Sequence, residues 1–260
     1  MVEAQVGNGA PHCPHVSFGN CGECGKPQTK EQREIAELKD KLAAMEKFLN
    51  VQHRQDAAPT TGPIKLDLGC GTMVRRSEMK NWTRELGWTG VDIEASDGAD
   101  VVCDLGMQKW PWEESSVDET NCAHMLEHIP AKDVEWSLAD GKLTKHVTWP
   151  RAHFMNELWR VLKPGAKAAF VTPYWASCRA YGDITHEWPP VGEMFWLYLD
   201  KGWRAQNAPH DSMYSCDFTH GLGYAPGQHL VGRTPEFVNE AIRDHKEAAG
   251  DMLATLVARK

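Results

Sequence analysis

The sequence predicts an α/β fold, a mostly parallel sheet flanked by helices, and three observations predict it. From Ile64 onward, short apolar runs of strand character alternate with helical patterns, the order that lays helices over a parallel sheet. The run KLDLGCGT, residues 65–72, ends a strand in two glycines either side of a cysteine, a turn that brings main-chain N–H groups close to a ligand. A chain of 260 residues that is 42% hydrophobic can bury one substantial core but is short for two full domains.

Charge and composition exclude several classes of function. A formal net charge of −8 argues against a protein that blankets nucleic-acid phosphates. No window approaches ~18 uninterrupted apolar residues, and MVEAQVGNGA lacks the basic and apolar regions of an export signal. The expectation is a cytoplasmic protein with no membrane partner. Most of the eight cysteines sit in apolar or strand-like surroundings and read as reduced thiols.

The elements follow in chain order. Residues 1–28 hold HCPHVSFGNCGECGK, in which Cys13, His15, Cys21 and Cys24 offer a complete tetrahedral shell for a structural Zn²⁺, with His12 a substitute for His15. The alternative is a leader with reactive thiols. Residues 29–56 are charged and nearly free of helix breakers, and Ile35, Leu38, Leu42, Met45 and Leu49 form a heptad seam. That helix either pairs over 29–55 with a second copy, giving a homodimer, or lies as an ordinary amphipathic helix along the main domain. Residues 57–63 read as a linker.

The main domain spans 64–233, with strands expected near 64–68, 88–93, 100–103, 118–123 and 166–172. A helix over 151–163 is closed by Lys163-Pro164-Gly165, and Phe195 to Tyr198 suggest another. The stretch 202–233, rich in Gly, Pro, His and aromatics, carries no clear pattern. Residues 234–260 are read as a C-terminal helix, from about Pro235 to Val257, with Phe237, Ala241, Ile242, Ala249, Met252, Leu253 and Leu256 on one side.

The glycine turn alone fits any nucleotide, but a nicotinamide dinucleotide fingerprint would need a glycine where Val74 stands. Twenty-one residues beyond Gly71, the strand WTGVDIE ends at Asp92, where a carboxylate accepts hydrogen bonds from ribose hydroxyls. A third strand, VVCDL, delivers Asp104. The ordered set LDLGCGT, GVDIE, CDLGMQKWPW, SVDETNCAHMLEHI and LWRVLKPGAKAAFVTP resembles the class I S-adenosylmethionine-dependent methyltransferases over roughly residues 64–175. The link ASDGAD is too short for a crossover helix, as in compact members of that family.

The resemblance implies a Rossmann-like methyltransferase fold for residues 64–233 and a set of roles. Gly69, Cys70 and Gly71 would pass the amino-acid end of S-adenosylmethionine, with Asp67 ordering the turn. Asp92, beside Ile93, would hold the ribose; Asp104 and Leu105 would flank the adenine; Ala123 and His124 would line the sulfonium side. His128, His186 and His124 are the candidate general bases, His186 lying in GDITHEWPP, which resembles the family's Asp-x-Thr-His segment. Glu127 orients His128 or sits in a helix first turn. Tyr174, Trp175, Trp188, Phe195 and Trp196 form an aromatic wall or belong to the core.

The leading expectation is therefore methyl transfer to an unidentified acceptor, with a small molecule favoured by the negative charge. The alternatives are a non-catalytic binding or structural protein that keeps the fold, for which Ala123 is the feature, and a nucleic-acid methyltransferase. In the latter the zinc segment would recruit nucleic acid, or a protein partner, although NCAHML stands where base N-methylation would call for an Asn/Asp-Pro-Pro-aromatic motif.

Overall fold

The computed structural model describes residues 62–71, 87–96 and 98–260, together with helical residues 30, 33, 35–39 and 41. The chain divides into two units, Met1–Asn50 and Val51–Lys260. In the first, the described residues are helical as the heptad pattern requires, with Lys41 paired to Glu37 one turn earlier at 2.7 Å. Cys13, His15, Cys21, Cys24 and the seam beyond Lys41 lie outside the described residues.

The second unit is built on a seven-stranded sheet. Its strands are β1 (Lys65–Leu68), β2 (Trp88–Asp92), β3 (Val101–Val102), β4 (Val117–Ala123), β7 (Leu162–Pro173), β8 (Phe218–Pro226) and β9 (Ala249–Ala258). Their spatial order is β3-β2-β1-β4-β7-β9-β8. The first five run parallel, while β9 is antiparallel to both of its neighbours. A separate antiparallel hairpin joins β5 (Asp133–Ala139) to β6 (Lys142–Thr148). The helices are α1 (Pro150–Val161), α2 (Arg179–Gly182), α3 (Glu193–Leu197), α4 (Lys201–Asn207) and α5 (Pro235–Asp244).

Local chemistry explains the elements that carry the site. Both faces of β1 are covered, so Leu66 and Leu68 are fully buried and Asp67 nearly so. Helix α1 begins with Pro150 at its first position, where the missing N–H costs nothing, and buries Phe154, Met155, Leu158 and Val161. Each such side chain is worth about 1.5–3 kcal/mol over leaving it exposed. The same helix ties down the connection that follows β3. Glu157 Oε2 accepts the Trp110 N–H at 2.7 Å, Arg160 donates to Trp112 O at 2.8 Å, and the buried Trp110 ring N–H reaches Leu105 O at 3.0 Å.

Two elements depart from the sequence expectation. The helix expected over 235–257 ends at Asp244, and Ala249–Ala258 is a strand between β7 and β8. Ala249, Met252, Leu253 and Leu256 suit a helical period, yet the buried residues Met252, Ala254, Leu256 and Ala258 have period two. Pairing on both edges decides between the two. The second is the hairpin β5–β6, where Asp140-Gly141 sits between alternating runs. Both residues adopt positive φ, 51° and 73°, as a two-residue hairpin turn demands. Helix α1 ends at Val161, and Lys163, Pro164 and Gly165 fall in a register irregularity of β7.

Candidate active site

The strand order reverses between β1 and β4: β1 continues toward β2 and β3, while β4 leads the other way to β7. Crevices in open parallel sheets form at the carboxyl ends of strands flanking such a switch point. Here the ends of β1 and β4 carry Gly69-Cys70-Gly71 and the segment His124–His128, and β2 ends beside β1 at Asp92.

The turn after β1 needs its glycines. Gly69 and Gly71 have φ of 70° and 68°, left-handed values that strain other residues. A Cβ on Gly69 would lie 2.2 Å from Met125 Cγ, so any side chain there would displace Met125. The turn is clamped from β2: Gly69 and Cys70 N–H both donate to Val91 O, at 2.9 and 3.1 Å. Asp92 Oδ2 accepts the Gly71 N–H at 2.7 Å and Oδ1 the Glu94 N–H at 3.2 Å. A carboxylate oxygen has two lone pairs, so each keeps one for a ligand. The Cys70 thiol donates to Gly98 O at 3.6 Å, and Asp67 accepts from Asn121 Nδ2 at 3.1 Å across β1 and β4.

A cavity of about 460 Å³ opens beside this turn, within the size range of small-molecule sites. Of the residues assigned to the cofactor, it is lined by Gly69, Asp92, Ile93, Asp104 and Leu105. Asp104 Oδ1 caps the next turn by accepting the Gly106 N–H at 3.0 Å. The hairpin, absent from the sequence reading, adds Asp133 and Glu135, so four carboxylates border the cavity and favour a cationic ligand. Cys103 also lines it; burial foremost, then Asp104 and Glu157, pushes its thiol up to about 11, which keeps it protonated. Asp67, Cys70, Gly71 and Ala123 line neither this cavity nor the next among the described residues.

A second cavity of about 830 Å³ is lined by His124, His128 and His186, together with Glu127. His128 lines both cavities. Its Nδ1 lies 3.2 Å from Thr185 O and 3.1 Å from Thr185 Oγ1, while the Thr185 hydroxyl donates to Asp183 at 2.6 Å. Both Thr185 oxygens therefore accept, so His128 carries its proton on Nδ1. The hydroxyl of Thr185 first, then its main-chain N–H, hold the Asp183 carboxyl below its ordinary range. Glu127 does not orient His128: its Oε1 lies 3.3 Å from His124 Nδ1. His124 itself has φ of 53°, and its N–H donates to Val171 O at 2.9 Å.

The aromatic residues do not form one wall. Tyr174 and Trp196 are buried in the core, whereas Trp188 is 74% exposed. Tyr174 gives its hydroxyl proton to Ile242 O at 2.9 Å. No helix among the described residues is long and apolar enough to cross a membrane.

No family model matches the chain, and no curated protein matches it. Among solved structures it is similar to a SAM-dependent methyltransferase from Archaeoglobus fulgidus, at 16% identity and a TM-score of 0.48, over 82% of this chain and 94% of that one. It is also similar to geranyl diphosphate C-methyltransferase from Streptomyces coelicolor A3(2), at 15% identity and 0.42, over 96% and 92%. A third is phosphoethanolamine N-methyltransferase 2 from Haemonchus contortus, at 13% and 0.35, over 81% and 51%. At such scores the functional reading rests on the site's own residues.

Proposed function

We propose that the chain is an S-adenosylmethionine-dependent methyltransferase acting on a small-molecule acceptor. One observation carries this reading: an acidic cavity at the strand-order switch, bordered by Gly69, Asp92 and Asp104, shares His128 with a larger cavity lined by imidazoles. The site suits the cofactor, because the left-handed glycine turn at Gly69 and two carboxylates, at the end of β2 and just beyond β3, border one cavity.

S-adenosylmethionine supplies a methyl group on a sulfonium, already activated for in-line displacement. Asp92 would accept from the ribose hydroxyls through its remaining lone pairs, and Asp104 from the adenine amino group. Asp133 and Glu135 add negative potential that favours the sulfonium cation over a neutral ligand. On the other side, the protein has only to align an acceptor, exclude water and accept a proton. His124, His128 and His186 line the cavity where that would happen.

Two further proposals concern the N-terminal unit and rest on sequence alone. Cys13, His15, Cys21 and Cys24 would hold a structural Zn²⁺ and present a surface to a protein or nucleic-acid partner, and helix 29–55 would pair two copies in a cytoplasmic homodimer.

Calorimetric titration tests the main reading. S-adenosylmethionine should bind the full chain with a micromolar Kd while NADH does not. Absence of saturable S-adenosylmethionine binding by folded protein, or preference for NADH, would overturn it.

A further inference from the structure

The Glu127 carboxylate is buried beside the larger cavity with one oxygen unpartnered. The residue is only 4% exposed, Oε1 contacts His124, and Oε2 has no hydrogen-bond partner among the described residues. Arg151, the buried cation near it, donates Nε to Ile129 O and Nη1 to Pro189 O, and its Nη2 is likewise buried without a partner; no ion pair joins it to Glu127. A buried carboxylate oxygen left without a partner is costly, so such an atom calls for a ligand.

Two imidazoles stand beside it. Ligand atoms of Glu127, His128 and His186 all lie within 4.8 Å of one another, and the two rings meet edge to face with centroids 4.8 Å apart. Both imidazoles are held by their Nδ1 atoms. His128 donates to Thr185, and His186 Nδ1 lies 3.3 Å from Ala180 O, which only accepts. A single proton on Nδ1 of each ring leaves Nε2 a lone pair, and Asp183 Oδ2 stands 3.9 Å from His186 Nε2, beyond hydrogen-bond distance. Metal-ligating histidines are oriented in this way, their second nitrogen donating to a carbonyl or carboxylate.

We propose that Glu127, His128 and His186 bind a divalent first-row transition-metal ion. Two neutral imidazoles and one carboxylate make a mononegative three-ligand set that leaves coordination positions open toward the larger cavity. Bonds of about 2.0–2.2 Å draw the three donors together by roughly 1 Å, within reach of side-chain rotation. The ion satisfies Glu127 Oε2. It also gives that cavity a Lewis acid: an acceptor hydroxyl or thiol bound to the ion loses its proton to solvent and remains as the metal-bound anion. Only this use of the ion depends on the methyl-transfer reading; the binding itself does not.

The test uses full-length protein carrying Cys21→Ser and Cys24→Ser, which removes two candidate N-terminal ligands, after stripping with chelator. Zn²⁺ is titrated by calorimetry, and Co²⁺ by its visible absorption, without S-adenosylmethionine. The expected result is one Zn²⁺ per chain with submicromolar Kd and a Co²⁺ spectrum lacking thiolate charge transfer. Glu127→Gln and His186→Ala each weaken binding at least a hundredfold, and Zn²⁺ raises the melting temperature of the parent but not of Glu127→Gln. Because Glu127→Gln is isosteric, it decides the question even where His186→Ala fails to fold. No binding by the parent, or Zn²⁺ affinity within threefold of it in Glu127→Gln, would overturn the proposal.

Discussion

The two cavities that meet at His128 are built from opposite materials. The smaller is shaped by backbone, a glycine turn clamped by Val91 O and Asp92, and is ringed by carboxylates. The larger is shaped by side chains, three imidazoles and a buried glutamate: Thr185 holds His128, the Ala180 carbonyl holds His186, and Glu127 meets His124. The difference teaches what each can do. A backbone cradle fixes the position of a ligand and tolerates no added Cβ, whereas an imidazole cluster handles protons and cations.

The strongest way to break this contrast is at Gly69. Gly69→Val places a β-branched residue at φ 70° with its Cβ driven into Met125. The variant should lose about 2–4 kcal/mol of stability in urea unfolding and all measurable cofactor binding. Full stability and unchanged binding would show that the turn is no cradle. A smaller change sharpens the electrostatic half. Asp133→Asn with Glu135→Gln should narrow the preference for cationic S-adenosylmethionine over neutral S-adenosylhomocysteine by about threefold, roughly 0.6 kcal/mol, measured by calorimetry.

The smallest effect concerns reactivity. Cys103, raised to about 11, stays a protonated thiol throughout the neutral range, while Cys178 is exposed. Iodoacetamide at pH 8 followed by peptide mass spectrometry should therefore modify Cys178 and spare Cys103. Prompt labelling of Cys103 would mean that the small cavity is more open than described.

What the sequence revealed divides along the same line. Gly69, Gly71, Asp92 and Asp104 could be placed because each follows a short strand whose apolar run announces its end, and β1 to β4 are parallel neighbours. The imidazole cluster was only half legible. His128 and His186 are 58 positions apart, with the hairpin, α1 and β7 between them, and Glu127 gave no sign that its neighbour would be His124 rather than His128. The C-terminal strand was hidden because Ala249, Met252, Leu253 and Leu256 satisfy a helical period until a partner on each edge imposes period two. The hairpin that contributes Asp133 and Glu135 was announced by Asp140-Gly141, and its meaning for the cavity appears only once β5 is in place.

The central claim is that the two cavities divide the labour, cofactor in one and acceptor chemistry in the other. Calorimetric titration of S-adenosylhomocysteine into the intact chain, Asp92→Ala and His186→Ala tests it most directly. The account predicts at least tenfold weaker binding for Asp92→Ala, about 1.4 kcal/mol, and binding within twofold of the intact chain for His186→Ala. Equal losses in both variants, or no binding by the intact folded chain, would contradict it.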